Sequence, residues 1–374
     1  MTTERICKLR SMMPGQNASP KRNTTSRTLR YFTTAVVGSF ALSACAGTAS
    51  ENDASPTSVE ASPLRLADDY APSHPFVEYG ASVFIEEAES GGVPIDYFPA
   101  GQMGTPEDLA VLLETEVLDV GSTAPAYLES KFPLSSVSDL PSDVSDSCVA
   151  ANAMMDLLGE DGILYEEEFK PRGLRPLWVA VLPGYELQTA TKRVESPEDA
   201  PGLLIRSAGG ALDATTDHIG AQAVSMPGGD AYEAMARHTV DGVGFTYISA
   251  HQYGLEGVAD YSTEGLNMGS FVLPYVITEK AWDNLTPEQQ DSVTRSAKVA
   301  NNSLCEGVNE ETAIAKREMA EGGLTYVPIE GENAEAWDEL LAGVRDDWAT
   351  SLNDAGMPGS EVLEAYDEAV AKYE

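Results

Sequence analysis

Positive charge is what this sequence has least of. Its 374 residues include 23 Lys and Arg against 60 Asp and Glu, a formal net charge of −37 at pH 7. Seven of those cations (Arg5, Lys8, Arg10, Lys21, Arg22, Arg27, Arg30) fall in residues 1–44 beside one acid, Glu4, so the remainder holds 16 cations and 59 acids. Such a surface repels phosphate backbones and anionic headgroups, which argues against nucleic acid and charged lipid as partners. The acidity itself reads as a heavily solvated surface, and it makes each cation inside the fold conspicuous.

Catalytic signatures are missing too. There is no G-x-S-x-G, H-E-x-x-H, P-loop or C-x-x-C. The four histidines, His74, His218, His238 and His251, are scattered, the last two on helical patterns. A hydrolase needs a nucleophile–base pair or a ligand cluster that this pattern does not supply, so no enzyme, metal or cofactor is expected. An extracytoplasmic α/β hydrolase stays as the alternative from another class, distinguishable by turnover.

Cysteine is scarce and long apolar runs are absent. Cys7 and Cys45 lie near the N-terminus, which leaves Cys148 and Cys305 as either a disulfide or two buried thiols. The apolar run Tyr31–Ala44 follows a basic segment and is too short to span a membrane as a mature helix. It ends in Leu42-Ser43-Ala44-Cys45, which resembles a lipobox. The expectation is a lipoprotein signal peptide over 1–44, with Cys45 lipidated and the protein held to the outer face of the cytoplasmic membrane. The alternative is an ordinary signal peptide with Cys45 incidental. Residues 45–61, rich in Ala, Ser, Thr, Pro and acid, read as a flexible tether.

Beyond the tether the rhythm is β-α-β-α-β. Leu64–Ala67, Val93–Phe98 and Val117–Val120 are strand patterns, with helices from His74-Pro75 to about Ser90 and from the hydroxyl-Pro-acid start Thr105–Asp108. Alternation of this kind implies a parallel sheet covered by helices. Further on, Ser147–Leu158 is helical, Arg175–Leu182 and Gly184–Ala190 are strands, and Gly242–Ile248 is extended. Asn267–Ile277 is extended as well, and Pro287–Glu321 reads as one long helix. Leu324–Pro328 closes the strands, ahead of helices near Ala334–Asn353 and Ser360–Lys372.

The most informative stretch is Ser196–Gly242. The apolar run Leu203–Ile205 ends in Arg206 and is followed by Ser207-Ala208-Gly209-Gly210, a strand, tight loop and helix start. Ligands of open α/β sheets bind beyond the carboxyl ends of strands, where Arg206 would present a planar fork suited to a carboxylate. Its other reading is a surface or ion-paired arginine. Pro227-Gly228-Gly229 before a helix from Asp230 could cradle an anion but reads more simply as a helix cap.

The string S-P-E-D-x-x-G-L-x-I-R, then G-G, M-P-x-x-D-x-Y-E-A and V-D-G resembles the extracytoplasmic solute-binding proteins of TRAP transporters, the dicarboxylate-binding DctP-like family. Phe98-Pro-Ala-Gly-Gln-Met-Gly104, Leu118-Asp-Val-Gly121, Asp139-Leu-Pro141 and Glu279-Lys-Ala-Trp-Asp-Asn-Leu285 fit the same family, over roughly residues 62–330. The resemblance implies an α/β, bilobal periplasmic-binding-protein-like fold: two α/β lobes with crossing connections and a long spanning helix. It places lobe 1 at 62–183 plus 272–311 and lobe 2 at 184–271 plus 312–374. It also implies capture of a small organic carboxylate between the lobes and delivery to TRAP-type permease subunits, with the membrane touched through the lipid anchor only. A binding protein serving another transporter or a sensor is the nearest alternative.

Candidate ligand contacts follow from strand ends. Arg206 is the clamp. Gln102 could face it from the other lobe or only stabilise its turn. Ser73 and His74 follow the first strand, His74 equally well as a helix start, and Ser122 and Thr123 follow the third. Phe245 and Tyr247 share a face if the strand continues through both, and Trp178 is a further wall candidate; each aromatic is equally explained by core packing. Many relatives carry Asn near Phe245 and a second arginine near Tyr185–Glu186. Both are missing here, which argues against a polyhydroxylated ligand held by two arginines.

Overall fold

The computed structural model describes residues 62–182 and 184–374. The expected signal peptide, the lipobox-like segment with Cys45 and the expected tether lie outside the described residues. The strands are β1 (Leu64–Ala67), β2 (Ile95–Phe98), β3 (Val120–Ser122), β4 (Leu174–Leu182), β5 (Glu186–Thr189), β6 (Leu204–Ser207), β7 (Gln222–Ser225), β8 (Gly242–Phe245), β9 (Tyr261–Glu264), β10 (Phe271–Thr278) and β11 (Thr325–Pro328). They form two sheets, one in the order β2-β1-β3-β10-β4 and the other β11-β9-β5-β8-β6-β7. β1 is parallel to β2 and β3, and β6 is parallel to β7 and β8. β10 returns antiparallel between β3 and β4, so the first sheet is completed by chain that has already built most of the second.

The helices are α1 (Ser82–Ser90), α2 (Pro106–Glu114), α3 (Ser147–Leu158), α4 (Gly210–His218), α5 (Ala231–Ala236), α6 (Tyr247–Gln252), α7 (Glu279–Asp283), α8 (Pro287–Glu321), α9 (Glu332–Asp354) and α10 (Gly359–Tyr373). Thr105 caps α2 and Thr286 caps α8, each in a reciprocal capping box with a Pro at the first helical turn. The 35 residues of α8 run along both sheets' layers. Val293, Ala297, Ala300, Leu304 and Val308 join the core around β1 and β10, while Ala315 and Met319 join the core around β8. Cys148 of α3 and Cys305 of α8 are disulfide-bonded, with their Cα atoms 4.8 Å apart.

Three expectations need correcting. The strand expected at Val117–Val120 starts only at Val120, because Glu116 turns the chain at φ 59° and the amides of Val117 and Leu118 fold back onto the Leu112 carbonyl. His238 is not helical: α5 ends at Ala236 and His238 sits at φ 55°. The C-terminal helix does not stay with the second sheet. Val362, Tyr366, Ala369 and Val370 form one face of α10 that packs on α3, and Lys372 and Tyr373 bond Asp156 at 2.6 and 3.0 Å.

Gly209, in the β6–α4 turn, has φ 104° and ψ −173°, a conformation essentially reserved for glycine. A Cβ there would lie 2.6 Å from the Ala126 carbonyl in the turn after β3, so the Gly-Gly pair lets the two lobes' turns touch. Gly209→Ala should therefore destabilise the protein by about 1–3 kcal/mol in denaturant unfolding.

Burial pushes Asp68, Glu168 and Glu186 up to about 7 and Asp69 to about 6, and lifts Asp139 well above its ordinary range. Each binds its proton in the folded chain at a pH where the unfolded chain has lost it. Their contribution is thus complete below about pH 4 and is lost as pH rises through about 7. His74 opposes them, since burial lowers it to about 4 and the unfolded chain gains a proton between pH 6.5 and 4. The carboxyls outnumber it, so the melting temperature should rise as pH is lowered from 8 to 5; a flat or falling curve would contradict this assignment.

Candidate functional site

The carboxyl ends of the parallel strands in the two sheets meet at one cavity. From the first sheet's side come Tyr70, His74 and Phe76 after β1, Tyr127 after β3, Leu182 at the end of β4 and Phe271 at the start of β10. From the second come Arg206 of β6, Gly228 after β7, Phe245 of β8, Ser249 of α6 and Tyr253 at that helix's C-terminal cap; Tyr185 stands where the chain passes between sheets. The free interior is about 20 Å³, room for little more than one water, so any larger occupant requires the walls to part. A hollow of about 410 Å³ lies between α9, α10 and the segments near Pro141 and Leu266. Its Arg345 is already bonded to the Pro141 carbonyl and to Asp367.

Arg206 dominates the cavity. It is 1 % exposed and is the one buried Lys or Arg among the described residues. Nε and Nη2 both donate to the Met226 carbonyl, at 3.0 and 2.7 Å, and the guanidinium lies 4.2 Å from the centre of the Phe245 ring. Nη1 has no partner among the described residues, and no carboxylate pairs with the group. One edge of the fork is thus fixed by backbone and one face by an aromatic ring, while Nη1, on a residue that lines the cavity, is left without a hydrogen-bond partner among the described residues.

Around this cation the wall is aromatic and neutral. Burial raises Tyr70 and Tyr185 well above the usual phenol range, raises Tyr127 and takes Tyr253 to about 12. The nearby Arg206 charge partly offsets burial at Tyr127, Tyr185 and Tyr253, and the Tyr127 oxygen sits against both that guanidinium and the Gly228 amide. His74 is neutral, its ring 4.6 Å from those of Tyr70 and Phe76. Such a lining can hold a flat apolar body and hydrogen-bond its edges, with a single positive charge to orient it.

Of the residues singled out from sequence, Arg206, Phe245 and His74 come together here. The others do not line the cavity. β8 ends at Phe245 and Thr246 caps α6, so the alternation that would align Tyr247 with Phe245 stops one residue early. The Tyr247 hydroxyl instead donates to the Thr263 carbonyl at 2.9 Å, and its ring packs edge-on against Tyr326. Trp178 is buried between Phe84 and Tyr275, at 4.6 and 4.5 Å. Ser122 is paired in β3 opposite Tyr275. Ser73 and Gln102 are exposed on the loops after β1 and β2. Tyr127, Tyr185, Tyr253, Phe76 and Phe271 carry no motif that marks them in the sequence, and of these only Tyr127 lies in the turn directly after a parallel strand's carboxyl end, beyond Ser122 and Thr123.

His218 and His251 do not line this cavity. His251 lies between Glu256 and Glu318, 3.2 Å from each, and His218 is 3.7 Å from Asp347. No group of three metal-ligating side chains occurs among the described residues, and no described helix is long and apolar enough to cross a membrane.

Comparison with known proteins places this geometry. The family model of DctP, bacterial extracellular solute-binding protein, family 7, matches residues 69–351. A solute-binding protein of Albidiferax ferrireducens is 23% identical over 151 residues, 40% of this chain and 45% of that protein, so the match spans under half of that relative. A TRAP periplasmic solute-binding protein of Bordetella bronchiseptica, solved with (R)- and (S)-mandelate, superposes with a TM-score of 0.75 at 22% identity, covering 84% of this chain and 100% of that one. A marine-metagenome TRAP solute-binding protein from an unidentified microbe, described as specific for aromatic acids, superposes at 0.76 with 17% identity, covering 83% and 99%. The bilobal α/β fold is shared with these structures, and with a family model matched over most of its length the chain belongs to the bacterial extracellular solute-binding proteins of family 7.

Proposed function

We propose that this protein is the extracytoplasmic receptor of a TRAP-type transporter and captures an organic carboxylate between its lobes. The observation that carries the reading is the unpartnered Nη1 of Arg206, a buried cation without a counter-ion in a chain of great acidic excess. A carboxylate there would meet Nη1, with the Tyr127 hydroxyl and Gly228 amide beside it, while Phe245 and His74 hold the ligand's body. The mandelate and aromatic-acid complexes of the Bordetella and metagenome proteins support an aromatic or apolar body.

In this reading lobe 1 comprises 62–183 with 272–311, and lobe 2 comprises 184–271 with 312 onward, α10 crossing back to lobe 1. Hinge closure over the ligand makes the surface that the permease subunits recognise. Lipidation of Cys45 keeps the receptor at the outer face of the cytoplasmic membrane beside that permease. No catalytic step is involved.

A thermal-shift screen against mono- and dicarboxylates, aromatic acids and compatible solutes tests the clamp. A ligand at a hundred times its Kd adds about 2.7 kcal/mol of stability. The shift should vanish in Arg206→Ala and stay largely lost in Arg206→Lys, whose point charge cannot reproduce the fork; a shift that survives Arg206→Ala would refute the assignment. Cys45→Ser expressed in cells should move the protein from the membrane fraction to the soluble extracytoplasmic fraction, whereas an incidental Cys45 would leave its distribution unchanged.

A further inference from the structure

The charge on the cavity wall can be counted. Its titratable side chains are Arg206, His74 and four tyrosines, and all but Arg206 are neutral at physiological pH. Asp69 lies just behind the wall, close enough for its charge to act on Tyr70, Tyr127 and Tyr253. A second carboxylate on the ligand would find no other cation in the wall and would face the field of Asp69, so it would be buried without a partner. The wall therefore accommodates one negative charge only.

His74 supplies the complementary polar requirement. The Phe76 amide donates to its Nδ1 at 3.2 Å. That bond occupies the acceptor nitrogen of a neutral ring, so the proton resides on Nε2, which has no partner among the described residues. Packing against Tyr70 and Phe76 fixes the plane of the ring, and its side chain lines the cavity. A ligand without an acceptor there would close the cleft over an unanswered N–H, which is unfavourable.

We infer that the solute is a monocarboxylate bearing, besides its carboxylate, an uncharged oxygen acceptor, a hydroxyl or a carbonyl, and that His74 selects for that oxygen through Nε2–H. This rests on the carboxylate-clamp reading above and narrows it: plain aromatic acids and dicarboxylates both fit less well than oxygenated monoacids.

Calorimetric titration of the full protein tests the inference with matched acids. The sets are benzoate against its three hydroxybenzoates, phenylacetate against mandelate and phenylglyoxylate, and isophthalate and terephthalate as dianions. At least one oxygenated acid should bind about tenfold more tightly than its parent, the gain of one neutral hydrogen bond, and the dianions should bind most weakly. His74→Phe, which keeps the ring packing, should erase that gap by weakening the oxygenated acid about tenfold more than its parent. His74→Gln, which retains an N–H donor, should preserve part of the gap, and melting curves report whether either variant is folded. A gap that persists in folded His74→Phe, parents that match every oxygenated acid, or dianions that bind best would each overturn the inference and leave the clamp intact. Absence of binding by any carboxylate, or binding that survives Arg206→Ala, would overturn the clamp and this inference with it.

Discussion

A guanidinium that is 1 % exposed has to have its charge answered, and the second sheet is arranged around how that is done. Leaving an ion unpaired in the interior costs several kcal/mol. Arg206 meets this with one carbonyl, shared by Nε and Nη2, and with the face of Phe245, instead of with a carboxylate. Met226 can offer its carbonyl only because β7 runs parallel beside β6, and Phe245 can offer its ring only because β8 lies on the other side. Three adjacent parallel strands thus create one incompletely satisfied cation, and an incoming anion completes it.

Buried acid plays the opposite part. The segment between β9 and β10, where the chain returns to the first sheet, is held at one end by Glu186, which accepts from the Thr263 hydroxyl and from the Gly265 and Leu266 amides at 2.6, 2.9 and 3.2 Å. At the other end Asp139 accepts from the Val272 amide at 2.7 Å, and its own carbonyl accepts from Ser270. Both carboxyls are pushed upward by burial, so the crossing is organised by groups that carry a proton more readily than any surface acid.

Much of this was legible in the residues, for identifiable reasons. The long helix over Pro287–Glu321 could be bounded because its cap, first-turn proline and uninterrupted pattern are local signals. Arg206 could be placed because an apolar run and a small-residue loop mark a strand end, and because the flanking motifs resemble a family. Tyr127, Tyr253 and Phe271 could not, since they reach the cavity through the crossing of two sheets, a property of tertiary topology. Tyr247 misled for a smaller reason: a threonine that caps a helix and a threonine that continues a strand look alike until the hydrogen bond from the Ser249 amide is seen. Trp178 was equally ambiguous, and an aromatic core claimed it.

The order of strands also sets the order in which the chain can fold. β10 lies between β3 and β4, yet five strands of the other sheet intervene between β4 and β10 in the chain. The first sheet therefore stays open along one strand position until residue 278 is available, and the Cys148–Cys305 bond, 157 residues apart, cannot close before then. An exported chain of this topology does not mature lobe by lobe as it emerges. Its N-terminal strands keep an unpaired edge until β10 arrives, and the covalent lock needs Cys305 of α8, later still in the chain.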